Sequence, residues 1–149
     1  MAAGSVTLFH LAKKKLLDGT IDLDGHTFKV VLCTSAQALA ANFAGSSTDC
    51  RLADLTAQLA TANGYTNGGA TLGSITLNQS SGTVTFDAAD VVWTLSGSIT
   101  AKYAVIYDDT VVNDPLIGFI DLDTGGGSVS PLPGTFTIQW NASGIFTAT

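Results

Sequence analysis

Two short stretches of the chain carry the same four residues, Ile21-Asp22-Leu23-Asp24 and Ile120-Asp121-Leu122-Asp123. Carboxylates one residue apart are what a hard cation or a general acid/base pair needs, since each offers oxygen ligands or a proton-transfer group at close range. Asp108 and Asp109 form a third such group after the apolar run 104–107. An EF-hand loop beginning at Asp22 fails on its spacing. That loop needs Asp or Asn at position five, Gly at six and Glu at twelve. Here His26 and Thr27 stand at five and six, and the chain contains no glutamate. A non-EF calcium site drawn from Asp108, Asp109 and Asp121 is the chemical role left to test.

Nucleophilic catalysis finds little to build on. His10 falls in a helical pattern and is expected on its surface or at a subunit contact. His26, beside the Asp24-Gly25 turn, is expected to be a solvated turn residue, and no G-x-S-x-G elbow occurs. The stretch Asp22-Leu23-Asp24-Gly25 resembles the opening of the haloacid-dehalogenase phosphatase motif, and Tyr107-Asp108-Asp109 that family's metal-binding carboxylates. That mechanism needs its nucleophile at the end of a buried parallel strand, whereas "LLDGTI" precedes this segment. Nothing sets Asp24 and Asp123 at a glycosidase separation across a sugar cleft, and zinc sets, phosphate loops and dinucleotide fingerprints are missing. Trp93, Trp140, Tyr65, Tyr103 and Tyr107 can be read as a sugar-stacking platform. Packing is the stronger reading, because "VVWTL" and "TIQW" alternate as core-facing strands do. Catalytic, cofactor-binding and metal residues are therefore assigned to none, and the expectation is a protein that is not an enzyme.

Composition points the same way. The chain has 149 residues, enough for one domain with a real core. Hydrophobic residues make up 46%, too many for a disordered chain. Charged residues are only 12%, about half of the roughly 25% usual in soluble domains. No charged side chain occurs between Asp54 and Asp87 or after Asp123. Such stretches suit surfaces that meet other copies or a partner. The net charge of −6 opposes nucleic-acid binding, which requires clustered Lys and Arg to displace counterions. The run Lys13-Lys14-Lys15 reads as the solvated face of a short helix. No segment is continuously apolar over the roughly 20 residues a membrane span needs. The N-terminus lacks a signal-peptide pattern, so the sequons at Asn78 and Asn141 are expected to stay unmodified. Cys33 reads as a buried small hydrophobe and Cys50 as part of a polar loop, with a Cys33–Cys50 bridge the minor alternative.

The elements that must position these groups follow from periodicity. Residues 5–18 place Leu8, Phe9, Ala12 and Leu16 at helical spacing, with Ser5 as the candidate cap and Gly19 as the stop. Residues 35–64 form an irregular, Ala-rich loop region with a short strand or helical turn around 52–61. The remaining runs, 27–34, 69–79, 82–87, 90–95, 98–109, 115–123 and 134–147, are rich in Thr, Val, Ile and aromatic residues and read as strands. Missing intervening helices exclude a parallel sheet with crossovers. The expected fold is all-β, a β-sandwich or jelly-roll-like single domain over residues 1–149 with one short N-terminal helix. In both IDLD segments Ile and Leu are expected on one side and the aspartates on the other.

The stretches "ANGYTNGGATL" (62–72), "VTFDAADVVWT" (84–94), "SITAKYAVIYDDT" (98–110), "PLIGFIDL" (115–122) and "GTFTIQWNASGIFT" (134–147), with the N-terminal "LFHLAKKKLLDGTIDLDGHTFKVVL", resemble small virion proteins of tailed bacteriophages. These are of the kind that decorate or cement the head. The resemblance covers nearly the whole chain and carries no catalytic residue. It implies a non-enzymatic structural protein on the capsid exterior, assembled in the host cytoplasm. Its partners would be the major capsid protein and further copies of itself as a dimer or trimer, with no cofactor, nucleic acid or membrane. The alternatives are a tail, neck or fibre-associated virion protein and a carbohydrate-binding β-sandwich module.

Overall fold

The computed structural model describes residues 4–43 and 50–149. The protein is all-β with one helix, and all its named strand pairs are antiparallel. The strands are β1 (Thr7–Leu8), β2 (Phe28–Cys33), β3 (Ala70–Thr71), β4 (Thr76–Ser80), β5 (Thr83–Asp87), β6 (Val91–Leu95), β7 (Tyr103–Asp108), β8 (Leu116–Asp121), β9 (Gly134–Ile138) and β10 (Phe146–Ala148). Helix α1 spans His10–Leu17. A central five-stranded sheet has the order β1-β8-β7-β2-β3, while β10-β5-β4 and the pair β6-β9 form two smaller sheets.

The molecule is β-sandwich-like, with the helix as a further cover. Phe28, Val30, Leu32, Ala104 and Ile106 of the central sheet join one hydrophobic cluster with Phe86, Val91, Trp93, Leu95 and Ile138 of the smaller sheets and with Trp140 just after β9. The intervening residues Val31, Cys33, Val105 and Tyr107 belong to a second cluster with Phe9 and Ala12 of the helical region and Cys50 and Leu55 of the loop. Strands β2, β7 and β8 are thus buried on both faces. That is why they read as continuous apolar runs, whereas β6, with one face outward, alternates buried and exposed residues. Burying one large side chain such as Phe28 contributes about 1.5–3 kcal/mol.

The helix starts later than its apolar spacing suggests. Thr7 and Leu8 pair with Phe119 and Gly118 as an edge strand, so Phe9, not Ser5, is the residue before the first turn, and it makes no side-chain cap. The extended preference of β-branched Val6 and Thr7, together with a free sheet edge, outweighs helix propensity there. The apolar run 69–79 divides into β3 and β4 at residues 72–75, where Ser74 takes φ 51°, and Gly69, ahead of β3, must be glycine. At φ 80°, a Cβ there would collide with the Val30 carbonyl oxygen of β2. Between β4 and β5, Ser81 and Gly82 take φ 50° and 86°, the two positive values of a type I′ hairpin turn. Residues 35–43 and 50–64 are largely irregular, with a 3-10 turn at Leu52–Asp54 and isolated bridges Cys33–Gln58 and Arg51–Pro115. Among the described residues, no helix is long and apolar enough to cross a membrane.

Candidate functional site

The carboxylates singled out by spacing lie in separate turns, where they accept backbone N–H groups. Asp22 Oδ1 accepts from Gly25 N at 3.2 Å and Asp24 N at 3.4 Å. Its carboxyl sits below the ordinary value, held there by the Asp24 side-chain hydrogen bond and by those backbone donors. In the second segment Asp121 Oδ1 accepts from Asp123 N at 3.0 Å, and Asp123 Oδ1 accepts from Gly125 N at 3.0 Å. Lys102, nearly buried, binds the Asp121 carboxylate at 2.8 Å and donates to the Asp123 carbonyl at 2.7 Å. Ile120 and Leu122 are buried while the aspartates are not, as a period of two requires. The first segment is a turn instead of a strand, though Ile21 is likewise buried and Asp22 exposed. Among the described residues, no three His, Cys or Asp side chains come together in a group able to hold a metal ion. Asp108, Asp109 and Asp121 therefore do not assemble the calcium site considered above.

His26 is not a solvated turn residue. Its Nδ1 lies at 2.7 Å from Asp108 Oδ2, within hydrogen-bond distance, with the Asp108 side chain fully buried and His26 at 20% exposure. Asp108 Oδ1 meanwhile accepts from Thr110 N at 2.9 Å and Val111 N at 3.3 Å. Thr27 N donates to Thr110 Oγ1, Asp109 N donates to the Thr27 carbonyl, and Lys29 pairs with Asp109 at 2.8 Å. The pair's bonds run to turn backbone, so its role is to fasten the start of β2 to the end of β7. A buried acid needs such partners, since an uncompensated carboxylate in the core costs several kcal/mol. The sequence signal for this pair was the aspartate closing an apolar strand. Its partner, 82 residues away, becomes visible only in the register Phe28–Asp108. His10 is exposed at the helix start.

The aromatic residues pack. Trp93 lies 5.7 Å from Phe136 and 6.0 Å from Tyr65, ring to ring. Trp140 donates its Nε1–H to the Ala89 carbonyl at 3.0 Å, and both tryptophans are buried. Tyr65 accepts the Leu32 N–H, Tyr107 donates to the Gly68 carbonyl, and Tyr103 stands edge-on to Phe119. Their faces are spent in the core, not offered to a sugar. Cys33 and Cys50 are both free thiols and both buried, so Cys50 belongs to the second core cluster and not to a polar loop. Burial pushes each thiol up to about 12, which makes both inert. Lys13 and Lys14 are exposed as expected, with Lys14 bound to Asp18 at 2.9 Å.

What remains open to a partner is a groove of about 950 Å³. Residues of three strands that each end a sheet contribute to it: Leu8 of β1, Phe136 to Ile138 of β9, and Phe146 and Thr147 of β10. Its remaining lining includes Gly4, Ser5, Gln139, Asn141 and Ser143, and the charged residue among the lining is Lys13. A smaller cleft of about 430 Å³ lies where Leu16, Ile21 and Leu23 face Leu77, Val84 and Phe86. Exposed apolar residues stand at Leu17, Leu77, Val84, Val92, Val112 and Leu132. Sequence reasoning missed both hollows. Their one advance signal was the lack of charge over 55–86 and 124–149.

No family model, curated protein or solved structure matches the chain.

Proposed function

We propose that this protein is a non-enzymatic virion structural protein, a decoration or cement protein that binds the outside of a tailed-phage head. Its partners are the major capsid protein and further copies of itself. The observation that carries the reading is the open, almost uncharged groove bordered by β1, β9 and β10, in a chain whose chemically capable side chains are engaged in turns and core. The sequence resemblance to head-decoration proteins supports it. We assign the groove to the capsid partner, because sheet-ending strands and apolar side chains bind an extended or β-rich protein surface without needing charge.

A protein that binds only the mature shell adds its binding free energy to that state, and many copies multiply the effect. Heads carrying it should withstand heat or chelator treatment better than heads stripped of it. The test is to separate heads from tails of purified virions and count copies by quantitative mass spectrometry. Tens to hundreds of copies on the head are expected. Recovery with tails alone would transfer the protein to the tail or neck.

A further inference from the structure

We infer that two copies of this chain join through β4, pairing antiparallel across a two-fold axis that passes through Asn78. The inference deepens the self-association part of the proposed function and does not depend on the capsid. Strand β4 ends its sheet, and all five of its residues, Thr76 to Ser80, are exposed. The hairpin turn fixes which backbone groups it leaves open. A two-residue turn at Ser81 and Gly82 makes Ser80 and Thr83 a hydrogen-bonded pair, so in the alternating antiparallel ladder Asn78 and Thr76 also bond to β5. Leu77 and Gln79 therefore aim their N–H and C=O groups outward. In a two-fold pairing centred on Asn78, Leu77 faces the partner's Gln79, and the two residues exchange both bonds. The symmetric pair does the same, giving four bonds in all. The result is one continuous six-stranded sheet.

Three features select a second copy as the occupant. The chain carries a net charge of −6, so like molecules repel over most of their surfaces. The hairpin itself is uncharged from Thr76 to Phe86, with Asp87 at the far end of β5 and Asp22 across the cleft that Leu77 and Val84 line. An isologous contact places each patch on itself, so a neutral patch is where copies of an acidic protein can meet. Moreover, β4 has none of the usual guards of a sheet edge, being without Lys, Pro or a bulge over five residues. Of the other sheet-ending strands, β1 and β3 have two residues each and β10 three, while β6 and β9, with five each, pair with one another and β9 borders the groove assigned to the capsid. Finally, Leu77 is 38% and Val84 36% exposed on one face of the hairpin. The pairing sets Leu77 beside its symmetry mate, within reach of diagonal cross-strand contact.

Sedimentation of the purified chain tests this. A species at twice 15.2 kDa is expected, and Asn78→Lys should shift it to the monomer mass, because the two introduced charges stand directly opposed. Asn78→Asp should do the same, and an equimolar mixture of the two variants should restore the dimer mass. Gln79→Pro removes one outward N–H without touching β5 and should also give monomer. Asn78→Cys should crosslink the wild-type-like dimer on mild oxidation. A non-hydrogen-bonded pair sets its Cα atoms about 4.5 Å apart, within disulfide range, and Cys33 and Cys50 are buried away from reaction. Ser80→Cys should not crosslink. A wild type sedimenting as monomer or trimer, or an Asn78→Lys variant still dimeric, would overturn the inference. Binding of Asn78→Lys to heads is scored separately, so failure here leaves the capsid reading to its own test.

Discussion

The central sheet and the β4–β5 hairpin are both antiparallel, yet they are built for opposite purposes. Strands β2, β7 and β8 bury nearly every side chain, between the smaller sheets on one face and the helix and loop on the other. The hairpin buries Phe86 and leaves all of β4 in solvent. Its strands hold their place through one turn, the pairing of β5 with β10 and two aromatic contacts, Phe86 to Phe28 at 5.6 Å and to Phe146 at 5.1 Å. The contrast teaches that charge poverty has two meanings in this chain. At Leu59, Tyr65, Leu72 and Phe86 it accompanies core, and along β4 it accompanies full exposure, at the edge proposed above to pair with a second copy.

Truncation inside the central sheet should break the molecule first. Phe28→Ala removes a fully buried ring and should lower unfolding free energy by about 3–5 kcal/mol, read as a fall in the urea midpoint. Asp108→Ala should follow, at about 2–3 kcal/mol. It strips the partner from His26 and from two turn N–H groups, and bonds to a charged acceptor are the stronger class. A loss below about 0.5 kcal/mol in either variant would mean that the sheet is not the stabilising half.

Subtler changes sharpen the comparison. Cys33 and Cys50 should resist a thiol reagent at pH 8 in the native protein and react fully in urea, because burial holds both near 12. Rapid native labelling would place them outside the core. Asp114, in the turn before β8, is raised above the ordinary carboxylate value by burial and by the neighbouring Asp109. Between the ordinary and the raised value the native state binds more protons than the unfolded one, so stability from this group falls as pH rises through that window. Asp114→Asn should therefore raise the melting temperature at pH 7, and the gain should vanish on acidification below the ordinary carboxylate value. Asn also tolerates the φ of 47° found there. Ser80→Ala, exposed at the turn end of β4, should change stability by no more than about 0.5 kcal/mol.

The fold class and most strands were legible because burial on one or two faces writes itself into the sequence as alternation or as apolar runs, whereas 134–147, read as one run, is β9 and β10 in two different sheets. Val91, Trp93 and Leu95 show the first pattern and 104–107 the second. The N-terminus misled because Leu8 fits a helical stripe equally well, and only the free edge of β8 decides that it is a strand residue. The His26–Asp108 pair was hidden for a related reason. A contact across 82 residues depends on strand register, and no local spacing encodes it. The aspartates were partly readable, since Asp before Gly signals a turn. Lys102, which clamps Asp121, gave no sign of its burial. The groove joins pieces of four strands and the segment preceding β1, and only its lack of charge could be seen in advance.

The central claim is that the molecule's stability resides in the double-faced sheet while the groove and the hairpin edge serve assembly on a phage head. A reconstruction of the intact virion tests it most directly. The expected result is density for this chain repeated over the outer surface of the head, with the groove bordered by β1, β9 and β10 against the shell. Heads bare of the chain, or density for it at the tail alone, would contradict the account.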